Sequence, residues 1–145
     1  PRNRHAVDRR GLGQLDQTTV AATARVNYTM SPTLSLQLYA EPFVSGGDYT
    51  GYQELVDGRN PNYQDRYAPY DYSGGNPDFN VRSFRTTNVL RWEVRPGSTL
   101  FVVWQQAREG EEAVGNVRLG RDFGAVFRAP ARNVFLVKMS YWLNY

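Results

Sequence analysis

The sequence predicts an all-β fold: an antiparallel up-and-down meander of about five strands that forms the C-terminal part of a transmembrane β-barrel. Three observations predict it. First, residues 135–145, FLVKMSYWLNY, alternate strictly. Phe135, Val137, Met139, Tyr141, Leu143 and Tyr145 form one set, and Lys138, Ser140 and Asn144 fall in the other. A period of two belongs to a strand with one apolar face. This strand is expected to run to the last residue, where a soluble domain usually frays. Second, three earlier segments alternate in a similar way, and a fourth reads as a strand with both faces apolar. Third, the connections run long, short, long, short, long, the asymmetry of outer-membrane barrels with long outer loops and tight inner turns.

Composition bounds the reading. A length of 145 residues corresponds to one domain, and 41% apolar residues are enough to form a buried or lipid-covered face. With no Cys, disulfides and thiolate metal sites are excluded. The net charge of +3 is carried almost wholly by Arg, with Lys138 the sole lysine. Arg forks suit polar loops and lumen ladders, where they pair with carboxylates. A nucleic-acid binder should carry a basic face and a recognisable motif. The sequence has neither, so no nucleic-acid partner is expected. No apolar run approaches the ~18 residues of a membrane helix. The mean hydropathy of −0.59 still allows a barrel, whose polar loops dilute its half-apolar strands. The chain opens on Pro1 without a signal peptide. It is therefore expected to be a fragment or processed product.

The elements follow in order. Residues 1–16 are polar and Arg-rich and read as an arm or loop; residues 17–145 form the barrel segment. The first strand is 17–30, with Val20, Ala22, Ala24, Val26, Tyr28 and Met30 on one face. Ser31-Pro32-Thr33 is a tight turn. The second strand, 34–44, puts Leu34, Leu36, Leu38 and Ala40 on one face and Ser35, Gln37, Tyr39 and Glu41 on the other. Pro42 cannot donate to a ladder and belongs near the strand end or at a bulge. Residues 45–78 are a long loop rich in Gly, Tyr, Asp and Asn. The third strand, 79–95, alternates most clearly where Leu90, Trp92 and Val94 oppose Val89, Arg91 and Glu93. Pro96-Gly97-Ser98 is the next tight turn. The fourth strand, 99–108, is apolar on both faces, as a soluble sandwich strand would also be. Residues 109–132 form a second long loop, in which 122–130, DFGAVFRAP, suggests a turn of helix or a plug-like piece. Its Asp-Phe-Gly has none of the other kinase elements beside it.

About five strands cannot close a barrel, since the smallest bacterial examples use about eight. An open edge in lipid would strand backbone polar groups. Further strands of the same chain, or partner chains, are therefore expected partners. A soluble half-barrel or sandwich escapes this constraint.

Candidate site residues fall into three groups. In the 45–78 loop, Asp48, Tyr49, Tyr52, Asp65, Tyr67, Tyr70, Asp71 and Tyr72 could form a ligand surface, with rings for sugar faces and carboxylates for hydroxyls. A glycan partner follows from that composition; Ca²⁺ would need a loop spacing that this segment does not have. A solvated loop of self-packed tyrosines is the simpler alternative. In the strands, Arg25, Glu41, Arg85, Arg91, Glu93 and Arg95 should face a lumen, because Arg at the lipid midplane costs ~2–4 kcal/mol. Tyr28, Trp92, Trp104, Tyr141, Trp142 and Tyr145 fit an aromatic girdle at a lipid–water interface, with core packing as the alternative. The single histidine, His5, has no second His or Cys to work with, so catalytic, cofactor and metal residues are all expected to be absent.

The order TTVAATARVNYTMSPTLSLQLYAEPFVSGGDY, then FNVRSFRTTNVLRWEVRPGSTLFVVWQQ, then NVFLVKMSYWLNY resembles the C-terminal end of one bacterial family. RWEVRPGSTLFVVWQQ is its most specific stretch. These are large outer-membrane or secreted proteins with an N-terminal family-nine carbohydrate-binding-like domain, followed by a barrel-like domain of unknown function. The resemblance implies an outer-membrane barrel C-terminus and no demonstrated activity. The N-terminal carbohydrate-binding-like portion has no counterpart in this sequence. Three readings follow: a barrel segment acting as membrane anchor, scaffold or passive channel; a soluble β-rich glycan-binding module; or an accessory subunit of a larger membrane assembly.

Overall fold

The computed structural model describes residues 11–143. One antiparallel sheet holds all seven strands. They are β1 (Gly11–Ala21), β2 (Ala24–Ser31), β3 (Leu34–Leu55), β4 (Tyr67–Pro69), β5 (Phe79–Arg95), β6 (Ser98–Glu112) and β7 (Arg132–Ser140). The order across the sheet is β1-β3-β5-β6-β7, with β2 and β4 also pairing with β3. Among the described residues the sheet is open, with β1 and β2 along one edge and β7 along the other. One helix, α1 (Leu119–Arg128), lies on it. No helix among the described residues is long and apolar enough to cross a membrane, which says nothing of strands.

Several expected boundaries shift. The arm expected at residues 1–16 gives way to β1 from Gly11 onward, because β3 continues to Leu55 and offers that stretch a ladder partner. The loop expected at 45–78 is thus strand for its first eleven residues, and the connection proper is 56–78. It carries a 3-10 turn (Gln64–Arg66) and β4. The expected strand 17–30 is split at Ala22 and Thr23, and Pro42 is the cause. Ala22 donates to the Pro42 carbonyl at 3.1 Å, but Pro42 has no N–H to return the bond. The register on both sides of the gap is continuous: Ala21 pairs with Phe43 and Ala24 with Ala40. Finally, β7 stops at Ser140 rather than reaching the terminus. Its partner β6 begins at Ser98, whose Oγ accepts the Trp142 N–H at 3.0 Å, so the ladder has no further backbone to pair with.

The tight connections gather at one end. Pro32-Thr33 joins β2 to β3, and Pro96-Gly97 joins β5 to β6. Gly97 has φ +80°, the left-handed value a type II turn needs after proline. The connections 56–78 and 113–131 lie at the other end.

Combined with the period of two, the register sorts side chains into two faces. Leu36 pairs with Tyr28 and Leu90, Leu90 with Val102, and Val102 with Val137. One face therefore carries Val26 and Tyr28, Leu34, Leu36 and Leu38, Leu90 and Trp92, Leu100, Val102 and Trp104, and Phe135, Val137 and Met139. It is the apolar face, and it is largely open: Val26, Trp92, Phe135 and Val137 are all exposed. On the opposite face Arg25, Glu41, Thr87, Arg91, Gln105 and Lys138 recur. That face is not uniformly polar, because Val89 pairs with Val103 and Val103 with Leu136.

Toward the loop end, α1 covers the apolar face. Val126 is fully buried with Val44, and the Phe127 ring centre is 5.0 Å from that of Phe84. The 113–118 segment presses close to β3: a Cβ on Gly46 would come within 2.6 Å of the Gly115 carbonyl oxygen. Asp122, fully buried, accepts from the Arg118 N–H at 2.7 Å, Arg121 Nε at 2.7 Å and Asn80 Nδ2 at 3.3 Å. Arg82 completes the network, 2.7 Å from Glu112 and 3.7 Å from Asp122. Arg108 donates to the Phe127 and Ala129 carbonyls at 2.7 and 2.8 Å, closing the C-terminal end of α1. Of the two forms expected for 122–130, a turn of helix is what is found, as part of α1 on the apolar face.

Candidate functional site

One concavity on the polar side lies at the loop end, and a β-bulge makes it. Along β1 and β3 the pairing slips between Leu12 and Gln14. Gly51 sits at φ +60°, the left-handed value favoured in such bulges, and puts an extra residue opposite Gly13. The bulge turns Tyr52 toward the same side as Tyr49. Gly13 accommodates both, since a Cβ there would lie 3.2 Å from the Tyr52 ring and 3.7 Å from that of Tyr49.

The 56–78 connection supplies the other wall. The Tyr70 N–H donates to the Tyr52 carbonyl at 2.9 Å, extending the β3–β4 pairing. Tyr72 then stacks on Tyr52, ring centres 4.8 Å apart and 14° from parallel. The Tyr49 N–H donates to Asp78 Oδ1 at 2.9 Å and fixes the end of the connection beside β3. The result is a cleft of about 390 Å³ lined by Gly11, Leu12, Gly13, Glu54 and Pro77 besides the four tyrosines. The Tyr52 hydroxyl is buried and has no hydrogen-bond partner among the described residues. Burial, and after it the Asp78 carboxylate, raise its pKa above the ordinary phenol value, so it remains a proton donor.

Of the residues singled out in the sequence, Tyr49, Tyr52, Tyr70 and Tyr72 converge here. The others do not. Asp48 lies on the opposite side of β3, against Gly115. Asp65 accepts from Asn62 Nδ2 at 2.8 Å, and Tyr67 packs edge-on against Tyr63 at 5.4 Å, in a separate small hub around the 3-10 turn. Asp71 is exposed and does not line the cleft. Leu12, Gly13 and Glu54 escaped the sequence reading because the bulge that gathers them requires knowing that 11–15 pairs with 49–54. Gly51 before Tyr52 was the available signal.

The strand charges also have definite places. Glu41 and Arg85 are direct cross-strand partners, and Arg85 is 2.8 Å from Glu109. Tyr39 donates to Glu41, and the Arg25 guanidinium lies over the Tyr39 ring at 5.3 Å. Arg91 and Glu93 pair at 3.8 Å. All of these share the polar face. Arg95, beyond a register shift after Glu93, instead lays its guanidinium over the Tyr141 ring at 4.2 Å. Among the aromatics, Tyr28, Trp92, Tyr141 and Trp142 cluster toward the tight-turn end. Trp104 sits further up and stacks on Phe135. Tyr145 and His5 lie outside the described residues. Among the described residues no group of three His, Cys, Asp or Glu converges as a metal site would require.

The sequence model of the family described as Domain of unknown function (DUF5916) matches residues 3–145. The chain belongs to the DUF5916 family. The match spans the two-faced sheet, α1 and the tyrosine cleft alike, so all three lie within the DUF5916 unit. No curated protein and no solved structure matches the chain.

Proposed function

We propose that this chain is part of the wall of an outer-membrane β-barrel, serving as membrane anchor, scaffold or passive channel rather than as an enzyme. The observation that carries this reading is the apolar face. Across five adjacent lines of strand it presents aliphatic and aromatic side chains without an intervening charge, from Tyr28 and Val26 to Val137 and Met139. Exposing it to water would be costly at ~25 cal/mol per Å², whereas acyl chains cover it at no such cost.

Two further features support it. The apolar band runs obliquely through the register. Phe135 is level with Trp104, Asn88 and Leu38, yet β3 continues the band past that level through Ala40 and Pro42. Strands tilted to a membrane normal stagger in this way. In addition, the polar groups that begin level with Trp104 (Asn88) and just beyond it (Gln106 and Asn133) bond to Trp104 or to one another, as a band margin requires. The strand edges on β1, β2 and β7 would pair with further barrel strands, of the same polypeptide or of partner chains. Extraction tests the reading: detergent should release the protein from membranes, and high salt or alkaline carbonate should not. Release by salt alone would count against it.

One observation favours a second reading. Val89, Phe101, Val103, Val134 and Leu136 form an apolar patch on the otherwise polar face. A second layer packed there would make a soluble β-rich module. Cooperative, monomeric folding in detergent-free buffer would decide for it.

A further inference from the structure

On the barrel-wall reading, on which this step rests, we infer that α1 is an interfacial helix. One flank enters the margin of the acyl chains, and the other meets the phosphates of anionic lipid headgroups. In a helix, residues four and seven apart share a side. That spacing divides Leu119–Arg128 into three sides. Asp122 and Val126 face the sheet and are fully buried. Leu119, Phe123 and Phe127 form one flank, and Leu119 and Phe127 are 47% and 53% exposed. Arg121 and Arg128 form the other flank, with Arg118 at the helix cap.

The two flanks point in opposite directions along the strands. Phe127 packs against Phe84, with ring centres 5.0 Å apart, and Phe84 pairs with Pro42, the last residue of the apolar band on β3. Arg108, the other cross-strand partner of Phe84, donates to the Phe127 carbonyl at 2.7 Å and holds it at that level. Arg121 reaches the other way. Its guanidinium donates to Asn116 Oδ1 at 2.9 Å and to the Asn116 carbonyl at 2.7 Å. That carbonyl also accepts from Asn80 Nδ2, and Asn80 lies beyond Phe84 toward the loop end. The apolar flank thus looks toward the band and the basic flank toward the loops. A helix lying in a bilayer surface is built in this way, with Phe and Leu toward the chains and Arg toward the headgroups.

Charge selects the partner. Residues 118–128 carry Arg118, Arg121 and Arg128 against Asp122, and Asp122 is already bonded to Arg121 beneath the helix. Arg118 and Arg128 are exposed. Their guanidinium forks match phosphate oxygens, and an anionic lipid surface attracts them.

The test uses the whole protein in vesicles of phosphatidylcholine, with and without phosphatidylglycerol. Leu119→Cys and Val102→Cys are labelled singly with an environment-sensitive fluorophore, the chain having no native cysteine. Nitroxide near the headgroup should quench the 119 label more than nitroxide deep in the chains, and the order should reverse at 102. Hydrogen exchange of residues 119–128 at neutral pH should slow about fivefold when phosphatidylglycerol is added. Arg118→Gln combined with Arg128→Gln should abolish that difference between lipids. Quenching at 102 with none at 119 overturns the inference and leaves the barrel wall standing. Exchange indifferent to phosphatidylglycerol does the same, as does a double variant that loses protection equally in both lipids. If the 119 label answers to protein dilution instead of lipid, a second copy covers the flank and the inference falls. No quenching at either position removes the barrel wall itself, and the placement of α1 with it.

Discussion

The rings of Trp104 and Phe135 lie 6.0 Å apart and 4° from parallel across the β6–β7 pair. Both project from the apolar face, and Phe135 is 67% exposed. Large stacked aromatics left this open in a water-soluble protein would invite association. At the margin of an apolar band, with the Trp104 Nε1 donating to Asn133 at 3.0 Å, they fit the interfacial aromatics that the proposed barrel wall calls for.

Charge placed on the two faces should therefore have unequal effects. On the barrel-wall proposal, Val102→Arg, on the apolar face, should destabilise the protein in lipid by ~2–4 kcal/mol. Gln105→Arg, on the opposite face of the same strand, should change stability by no more than about 0.5 kcal/mol. Denaturant unfolding in phospholipid vesicles measures both, and equal effects would contradict the face assignment.

Two glycines should respond in opposite directions. Gly46→Ala places a Cβ within 2.6 Å of the Gly115 backbone oxygen. It should destabilise by about 1–3 kcal/mol, as overpacking does. Gly120→Ala, in the first turn of α1, meets nothing within 4 Å. It should stabilise by about 0.4–1 kcal/mol through the unfolded state and the helix preference of alanine. Thermal unfolding of the two variants checks the pair.

The seat of α1 should be acid-sensitive. Burial pushes the Asp122 carboxyl up, but Arg121, the Arg118 amide and Asn80 outweigh it, and its pKa ends below the usual range. Arg82 likewise lowers that of Glu112. Groups with depressed folded pKa values stabilise fully above the unfolded carboxyl pKa of about 4 and lose that contribution as pH falls through the folded values. Hydrogen-exchange protection of residues 119–128 should hold between about pH 5 and 7 and decline below about pH 4. Asp122→Asn should flatten that decline.

Restoring a donor at the gap in the first strand line should knit it. Pro42→Ala returns an N–H facing Ala22, and exchange protection around residues 22–24 and 40–43 should rise. Global stability should move by less than about 1 kcal/mol, because the new hydrogen bond is offset by a looser unfolded chain. Unchanged protection would mean that something other than the missing donor interrupts β1 and β2.

The strand pattern was legible because period two survives without knowledge of partners. Leu90, Trp92 and Val94 announce their shared face on their own. The alternation of 17–30 and 34–44 likewise anticipated which residues share a side. Strand lengths were not legible. Ser45-Gly46-Gly47-Asp48 reads as loop, yet it is sheet because Gly46 and Gly47 let the 113–118 segment, Phe79 and Leu15 approach. The side on which α1 lies was also hidden, since it depends on Asn80, Arg82 and Asp122 meeting across 42 residues. Within the site, the tyrosines stood out by composition, but only the Gly51 bulge separates Tyr52 from Asp48.

The most direct measurement exploits the absence of native cysteine. Single substitutions Val102→Cys, Val103→Cys, Leu136→Cys and Val137→Cys, labelled with an environment-sensitive fluorophore, would be reconstituted in vesicles containing nitroxide-bearing lipid. The barrel-wall account predicts strong acyl-chain quenching at 102 and 137 and weak quenching at 103 and 136. Equal quenching within each neighbouring pair, or none at any position, would contradict it.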